Sequence, residues 1–427
     1  MRHRPCLRRT DWAAGSASTV NPFAQRFPPG HGRVIRLVRT VDHGVTMRIA
    51  LVTESFLPDV NGVANSVART AEHLQRRGHS PLVIAPQPPP GVRRVHVSVP
   101  YPVVRMPSLP MPGYPQIRLG LPTPALTGAL RTHATEVVHL ASPFVLGAWG
   151  AAAAKALKLP TVAVYQTDVA AYARVYRVGM TEGAAWRWIR TVHNSAARTL
   201  VPSSESAAAL AEHGVQNVYM WRRGVDDVRF HPRHRSAGLR RALAPRGELL
   251  VGFVGRLAVE KQVELLADAS RLPGVRLVVV GDGPAAGSLR RSLPDAVFVG
   301  VRHGAQLARL YASLDVFAHT GPYETFGQAV QEAMASGLPV VAPAAGGPVD
   351  LVDDGRTGYL VPPFEAAGFT AAIRRLAASA DLRATFGAAG RAAIEGRSWI
   401  AVGDELIGHY RAALESTTLE RRLAVAA

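Results

Sequence analysis

The chain has 427 residues, 48% of them apolar, and its 49 basic and 31 acidic side chains give a net charge of +18. This length suffices for two or three domains, and the apolar content excludes global disorder. No apolar run of about 18 residues lacks a charge, so no transmembrane helix is expected. The single cysteine, Cys6, excludes an intrachain disulfide and fits a reducing, cytoplasmic setting. The positive charge suggests an anionic partner, unless it reflects arginine-rich codon usage on a solvated surface.

Residues 1–46 form a basic leader with eight Arg, two Asp and no apolar periodicity. We expect this leader to be disordered. It lacks the apolar region of a secretory signal and only faintly resembles a transit peptide. We favour a reading frame extended upstream of Met47, because a strand follows at once, and we expect residues 1–46 to be dispensable.

The next segment alternates apolar runs with helical spacing, which predicts a parallel sheet covered on both faces. Strands are predicted at residues 48–53, 81–85, 103–106, 136–140, 160–165 and 199–202, and helices at 63–77 and 143–158. The proline-rich stretch 86–124 reads as loop with short strands. We assign residues 47–225 to an N-terminal Rossmann-like domain.

The pattern then restarts, with strands predicted at residues 249–255, 275–281, 296–300, 315–319 and 339–342, each followed by helical spacing. We assign residues 226–398 to a C-terminal Rossmann-like domain, and 399–427 to a crossover helix and tail. The fold class is therefore α/β, with two doubly wound domains. Such sheets bind ligands at the carboxyl ends of their strands, so the turns there should line a cleft.

Two carboxylates, Glu324 and Glu332, lie eight positions apart in the segment 322–339. Its apolar spacing predicts a helix that stops at Gly337. On a helix the carboxylates would be about 12 Å apart along the axis and about 80° apart in angle. That length matches the span from hexose to ribose in a nucleotide sugar, and a helix N-terminus suits its diphosphate.

Two cations follow the first strand of the second half in the motif Gly255-Arg256-x4-Lys261. We expect Arg256 to leave the strand end and Lys261 to start the next helix, so that both project into the cleft. There they would neutralise a diphosphate, Arg256 in a bidentate way and Lys261 as a point charge. The alternative is two surface cations at an ordinary turn.

Further candidates are weaker as lone motifs. Gly281 and Gly283 flank a turn that could border a nucleoside, or simply be tight. Gly62 opens the first helix and could approach a phosphate. Asp168 ends a first-half strand and could orient an acceptor hydroxyl, or cap a helix. His139 and His319 receive no role, and the absence of metal-ligand spacing predicts no catalytic metal.

With both motifs in place, the chain resembles retaining glycosyltransferases of family 4, which have the GT-B fold. The resemblance covers about residues 47–419. Residues 48–63, 165–174 and 221–226, the last reading Trp-Arg-Arg-Gly-Val-Asp, look like those of actinobacterial GDP-mannose-dependent α-mannosyltransferases. Those enzymes act on glycolipid or phosphatidylinositol mannoside-type acceptors.

The resemblance implies the site roles. Arg256 and Lys261, after Gly255, would hold the donor diphosphate. Glu324 would contact the transferred sugar with help from the amides of Phe326 and Gly327, and Glu332 would bind the ribose. Gly62 would approach the phosphate, and the helix from Trp399 would cross back onto the first domain.

One departure concerns the presence of Gln166 where many relatives carry His. Gln cannot act as a general base, but in a front-face retaining mechanism the departing phosphate can accept the proton. We therefore expect a metal-independent mannosyltransferase with no cofactor beyond the nucleotide-sugar co-substrate, peripheral on the inner face of an anionic membrane.

Three alternatives remain open from the sequence. One is a UDP-sugar-dependent glycosyltransferase acting on a small-molecule or polysaccharide acceptor. Another keeps the fold but is a nucleotide-sugar epimerase or phosphorylase. A nucleic-acid-binding protein rests on charge alone and lacks a reading motif, so we predict no nucleic-acid partner.

Overall fold

A computed structural model describes residues 46–59, 61–89, 99–111, 114–121, 123–141, 145–166 and 182–426. The predicted leader lies outside the described residues except for Thr46, and so does Asp168. None of the helices in the described ranges is long and apolar enough to cross a membrane.

The first half is built on a parallel sheet. Its described strands are β1 Arg48–Val52, β2 Ser80–Pro86, β3 Val103–Met106, β4 Ser108–Met111, β5 Tyr114–Gly120, β6 Val137–Leu140, β7 Thr161–Val164, β8 Arg198–Val201 and β9 Val218–Met220. Seven of them form one sheet in the order β3-β2-β1-β6-β7-β8-β9. Every neighbouring pair in it is parallel. The proline-rich stretch forms the antiparallel hairpin β4-β5.

Helices cover both faces of this sheet: α1 Gly62–Arg76, α2 Pro124–Thr132, α3 Val145–Ala156, α4 Glu182–Asn194 and α5 Ser204–Glu212. Alternate residues of β1 enter opposite cores, since Ile49 and Leu51 pack with α1 whereas Ala50 and Val52 pack with α3. All four side chains are buried, which explains why β1 is an uninterrupted apolar run.

The second half repeats this architecture. Its strands are β10 Leu249–Val254, β11 Val275–Val280, β12 Val297–Gly300, β13 Val316–Ala318, β14 Val340–Pro343 and β15 Gly358–Val361. They form a sheet in the order β12-β11-β10-β13-β14-β15. Its helices are α6 Ala237–Leu243, α7 Ala267–Ser270, α8 Ala286–Ser292, α9 Gly304–Ser313, α10 Gln328–Ala335, α11 Ala366–Ala378 and α12 Ala380–Ala393. The predicted pair of doubly wound α/β sheets is confirmed, while the boundaries placed at residues 225 and 398 stay predictions.

One predicted helix start is wrong. Lys261 does not begin a helix after β10 but ends a 3-10 turn, Val259–Lys261. The next residue, Gln262, has a left-handed backbone with φ of 50°, which interrupts helical continuation before a second 3-10 turn, Val263–Leu266. Lys261 is therefore presented by a bent loop.

The last helix, α13 Trp399–Ala426, packs against the first half. The Tyr410 hydroxyl lies 2.8 Å from Nδ1 of His139 in β6. The indole N–H of Trp221 donates to the carbonyl of Val402 at 3.0 Å. α13 therefore ties the end of the chain to the first sheet.

Candidate functional site

The turns after β10 and β11 pack against each other at the carboxyl edge of the second sheet. The Leu257 amide donates to the Asp282 carbonyl at 2.9 Å. Gly281 and Gly283 have φ of +138° and +157°, and a Cβ at either would overlap the carbonyl oxygen of Gly255 or Leu257. These glycines are thus needed for the two turns to pack. Their predicted contact with a nucleoside stays a prediction.

An ion pair between Lys261 and Glu324 forms the centre of the candidate site. Their side chains are 16% and 23% exposed, so the pair is mostly withdrawn from water yet accessible. The Thr320 hydroxyl donates to the Lys261 carbonyl at 2.6 Å, which fixes the backbone that carries the ammonium. The structure brings these two predicted residues together from loops that follow different strands.

Glu324 is held in its ionised form. Burial opposes its charge, but the charge and hydrogen bond of Lys261, with the charge of Arg223, outweigh burial and keep the pKa of Glu324 below its ordinary value. His319 lies 4.0 Å from Glu324, and burial lowers the pKa of His319 to about 4. The imidazole is therefore neutral at pH 7, and its Nε2–H donates to the Gly321 carbonyl at 3.1 Å.

The helix predicted to carry both carboxylates is shorter than expected. α10 begins at Gln328, after Gly327 with a φ of 90°, so Glu324 lies on the preceding loop. The axial distance of about 12 Å calculated for a continuous helix does not apply. Instead, the Gly347 amide donates to the Glu324 carbonyl at 2.6 Å, and the sequence analysis missed this support.

Hydrogen-bond donors suited to an anion surround this loop. Within the ranges that the structure describes, the Phe326 and Gly327 amides donate to no other residue. Arg256 is exposed, and its guanidinium pairs with no residue of the described chain. These groups together with Lys261 provide the donors that a diphosphate requires.

Glu332 differs from Glu324 in its protonation. It lies within α10, partly buried, and no cation is paired with it in the described chain. Burial raises its pKa to about 7, although contacts with Tyr311 and Gln328 act in the opposite direction. At neutral pH, Glu324 is therefore a carboxylate, whereas Glu332 is present partly as the protonated acid and partly as the carboxylate.

The first half contributes backbone and amide groups. The Asn61 side chain caps α1 by accepting from the Ala64 amide at 2.9 Å, and Gly62 begins that helix. The Gln166 carbonyl accepts from the Thr325 hydroxyl at 3.2 Å, next to Glu324. The two halves therefore meet beside the Lys261–Glu324 pair.

Arg223 is a functional candidate that the sequence analysis missed. Its guanidinium donates to the Gly62 carbonyl at 3.2 Å and to the Gln166 side-chain oxygen at 2.5 Å. Arg223 belongs to the quoted Trp-Arg-Arg-Gly-Val-Asp stretch, which was the available signal. The pattern did not show which of its two arginines is buried.

Metal ligands are not grouped in the part of the chain that the structure describes. No cluster of three or more His, Cys, Asp or Glu side chains there could hold a metal ion. The groups assembled at the site are therefore cations, carboxylates and amides.

Two family models match the halves separately. The model described as Glycosyltransferase Family 4 matches residues 60–229. The model described as Glycosyl transferases group 1 matches residues 248–379, which include the Lys261–Glu324 pair.

Curated relatives match over most of their lengths. A GDP-mannose-dependent alpha-mannosyltransferase of Mycobacterium tuberculosis is 50% identical over 86% of this chain and 97% of its own. One from Corynebacterium glutamicum is 44% identical over 85% of this chain and 88% of its own. The sulfoquinovosyl transferase SQD2 of Arabidopsis thaliana is 33% identical over 82% of this chain and 71% of its own.

Solved structures support the two-domain fold. Anabaena HepE, crystallised with UDP and glucose, has a TM-score of 0.70 at 23% identity, over 86% of this chain and 99% of its own. WaaG, a glycosyltransferase of lipopolysaccharide biosynthesis, has a TM-score of 0.63 at 16% identity, over 84% of this chain and 98% of its own. At these identities the likeness concerns the fold, and the GT-B arrangement is confirmed.

Proposed function

Since this chain belongs to glycosyltransferase family 4, we propose that it transfers mannose from GDP-mannose to a glycolipid or phosphatidylinositol-type acceptor with retention of configuration. The chain is a nucleotide-sugar-dependent glycosyltransferase. The observation that carries the proposal is the Lys261–Glu324 pair at the carboxyl edge of the second sheet. Doubly wound sheets bind nucleotides at that edge.

The cations support a leaving diphosphate. As the bond from the anomeric carbon to the β-phosphate oxygen breaks, negative charge develops on that oxygen. Arg256 and Lys261 would stabilise this charge, together with the amides of Phe326 and Gly327. The acceptor oxygen then bonds to the anomeric carbon on the same face, and its proton passes to the departing phosphate.

No first-half side chain described near the site suits the role of a protein base in this step. Gln166 has no basic atom, and its amide N–H donates to the Ala141 carbonyl at 2.5 Å. In the second half, the Nε2–H of His319 donates to a carbonyl, and burial lowers the pKa of His319 to about 4, so its buried Nδ1 is a weak base. A phosphate oxygen as the proton acceptor is consistent with both contacts.

The two carboxylates fit different parts of the donor. The ionised Glu324 would accept hydrogen bonds from the mannose hydroxyls, which are donors without charge. Glu332 would accept from the ribose hydroxyls. Because the pKa of Glu332 is raised to about 7, hydrogen bonds from the ribose would have to stabilise the Glu332 carboxylate relative to its protonated form. Asp168 remains proposed as a contact of the acceptor hydroxyl.

The first half supports a membrane-bound acceptor. Trp149 and Trp188 are 49% and 42% exposed, and Leu109 is 56% exposed. Arg187 and Arg190 flank Trp188 on α4, and both are exposed. Exposed tryptophans suit the boundary between headgroups and acyl chains, and arginines suit anionic headgroups. We therefore propose that the enzyme works at the cytoplasmic face of an anionic membrane.

The direct test is transfer to vesicles containing phosphatidylinositol or glycolipid, with GDP-mannose, UDP-glucose and ADP-glucose offered in parallel. A mannolipid formed with GDP-mannose, at a rate unchanged by EDTA, is the expected product. Transfer from a UDP-sugar without any mannolipid would overturn the donor assignment. Conversion of a UDP-sugar with no acceptor present would instead indicate an epimerase.

A further inference from the structure

Arg223 is a buried cation held by neutral groups. The residue is 8% exposed. Its guanidinium donates to the Gly62 carbonyl and to the Gln166 side-chain oxygen, and neither acceptor carries a formal charge. Burying a charge without a counter-ion is costly, so such a charge needs a compensating partner.

The carboxylate that faces Arg223 is already shared. Glu324 attracts Arg223, but it forms its ion pair with Lys261. Burial lowers the pKa of Arg223 to about 10, opposed by Glu324, so the guanidinium stays charged at neutral pH. Among the residues that the structure describes, two mostly buried cations thus share one carboxylate, which leaves one positive charge in excess there.

We propose that Arg223 gives the donor site this excess positive charge, which the diphosphate neutralises, and that Gln166 holds the guanidinium without cancelling it. The inference rests on the proposed nucleotide-sugar chemistry and adds two positioning residues to it. Arg223 provides a second positive charge for Glu324. When Lys261 turns to a phosphate, Glu324 therefore still has Arg223 as a counter-ion.

The geometry of Gln166 explains why an amide suits this position. Its N–H donates to the Ala141 carbonyl, which directs its oxygen towards Arg223. Its own carbonyl accepts from Thr325 at 3.2 Å, beside Glu324. A carboxylate here would accept from Arg223 equally well but would remove the excess charge.

The test measures binding of GDP and of inorganic pyrophosphate to the full chain by calorimetry. Arg223→Met should weaken both ligands about tenfold, which corresponds to about 1.4 kcal/mol. Arg223→Lys retains a cationic side chain but loses the fork that spans Gly62 and Gln166, so its affinity loss should be smaller than that of Arg223→Met. Arg222→Met is the matched control from the same segment, and it should bind like the parent.

Gln166→Glu separates charge from folding. It keeps the acceptor for Arg223 but loses the donor to the Ala141 carbonyl, so thermal melting measures the cost to folding, while pyrophosphate affinity, expected to fall about tenfold, measures the effect of charge. Parent-like affinity in both Arg223→Met and Gln166→Glu overturns the inference, as does equal weakening in Arg223→Lys and Arg223→Met. If the parent binds UDP rather than GDP, the donor proposal fails while the inference stands. If it binds no diphosphate, both fail.

Discussion

The carboxyl edges of the two sheets differ in how their charged groups are exposed and paired. The edge of the second sheet presents Arg256, Lys261 and Glu324, all charged. The described edge of the first sheet presents the neutral groups of Gly62 and Gln166, which surround the buried cation of Arg223 after β9. Two sheets of the same architecture therefore present different binding groups to a ligand.

This contrast accounts for how readily each substrate can be assigned. The donor's diphosphate needs cations and N–H donors, and its mannose and ribose hydroxyls need acceptors in fixed directions. The charged edge supplies these groups with few residues. A lipid acceptor needs an apolar and basic surface, which the first half offers through exposed Trp149 and Trp188. We infer that the second edge sets the donor and the first half sets the acceptor.

Removing the carboxylate from the charged edge should have the largest effect. Glu324→Ala is expected to lower the transfer rate about a thousandfold, because the sugar loses an acceptor and Lys261 loses its partner. Initial rates with labelled GDP-mannose measure this, and thermal melting checks folding. An unchanged rate in a folded variant would contradict the role of Glu324.

Lys261→Met should rank second, with kcat/KM lowered about a hundredfold, because a mostly buried phosphate contact is lost. The matched variant Arg256→Met removes an exposed cation and should cost about tenfold. Rates at increasing ionic strength sharpen the comparison, since salt should affect the Arg256 contact more. An equal loss of kcat/KM in both variants, with equal sensitivity to salt, would show that the difference in burial does not make Lys261 more important than Arg256.

Gly281→Ala should test whether the charged edge depends on the close packing of its turns. Its added Cβ would overlap the Gly255 carbonyl, so we expect a loss of about 2–4 kcal/mol in the free energy of unfolding. Gly287→Ala is the control: it lies in α8, and its Cβ would make an ordinary 3.9 Å contact with Arg291. Denaturant unfolding should show Gly287→Ala neutral or slightly stabilised, and a similar stability for both variants would reject the packing argument.

Glu332 should produce the smallest effect, visible in pH dependence. Its pKa of about 7 exceeds the ordinary 4.5, so the folded protein binds this proton more tightly than the unfolded chain. Its stabilising contribution is full below pH 4.5 and is lost as the pH rises towards 7. The stability of Glu332→Gln should lack this decline, measured as the difference from the parent because Glu54 and Glu405 also have pKa values raised to about 7.

Donor binding gives the same residue a second readout. If ribose hydroxyls donate to Glu332, GDP binding favours its carboxylate and releases a proton near pH 6.5. Calorimetry in buffers of different ionisation enthalpy should detect this release in the parent and not in Glu332→Gln. Equal release by both proteins would place the ribose elsewhere.

The sequence predicted the sheets well because buried parallel strands are continuous apolar runs, as β10 and residues 49–52 of β1 are. It missed β9 and β15, which lie at the edges of their sheets and are only partly buried. The hairpin β4-β5 was obscured by proline. The strand order follows from pairing between distant segments, and a single-sequence pattern carries little information on that.

The candidate site was predicted in composition but not in geometry. Spacing placed Glu324 on a helix, whereas the left-handed Gly327 starts that helix later. Arg223 escaped notice because its partners Gly62 and Gln166 lie 161 and 57 positions away along the chain. Burial of one arginine rather than its neighbour is decided by those long-range contacts.

A crystal structure of the protein with GDP would show directly where the donor binds. We expect the diphosphate within hydrogen-bond distance of Arg256 and Lys261, with the ribose hydroxyls on Glu332. A diphosphate bound at the first sheet, away from Lys261 and Glu324, would contradict this expectation.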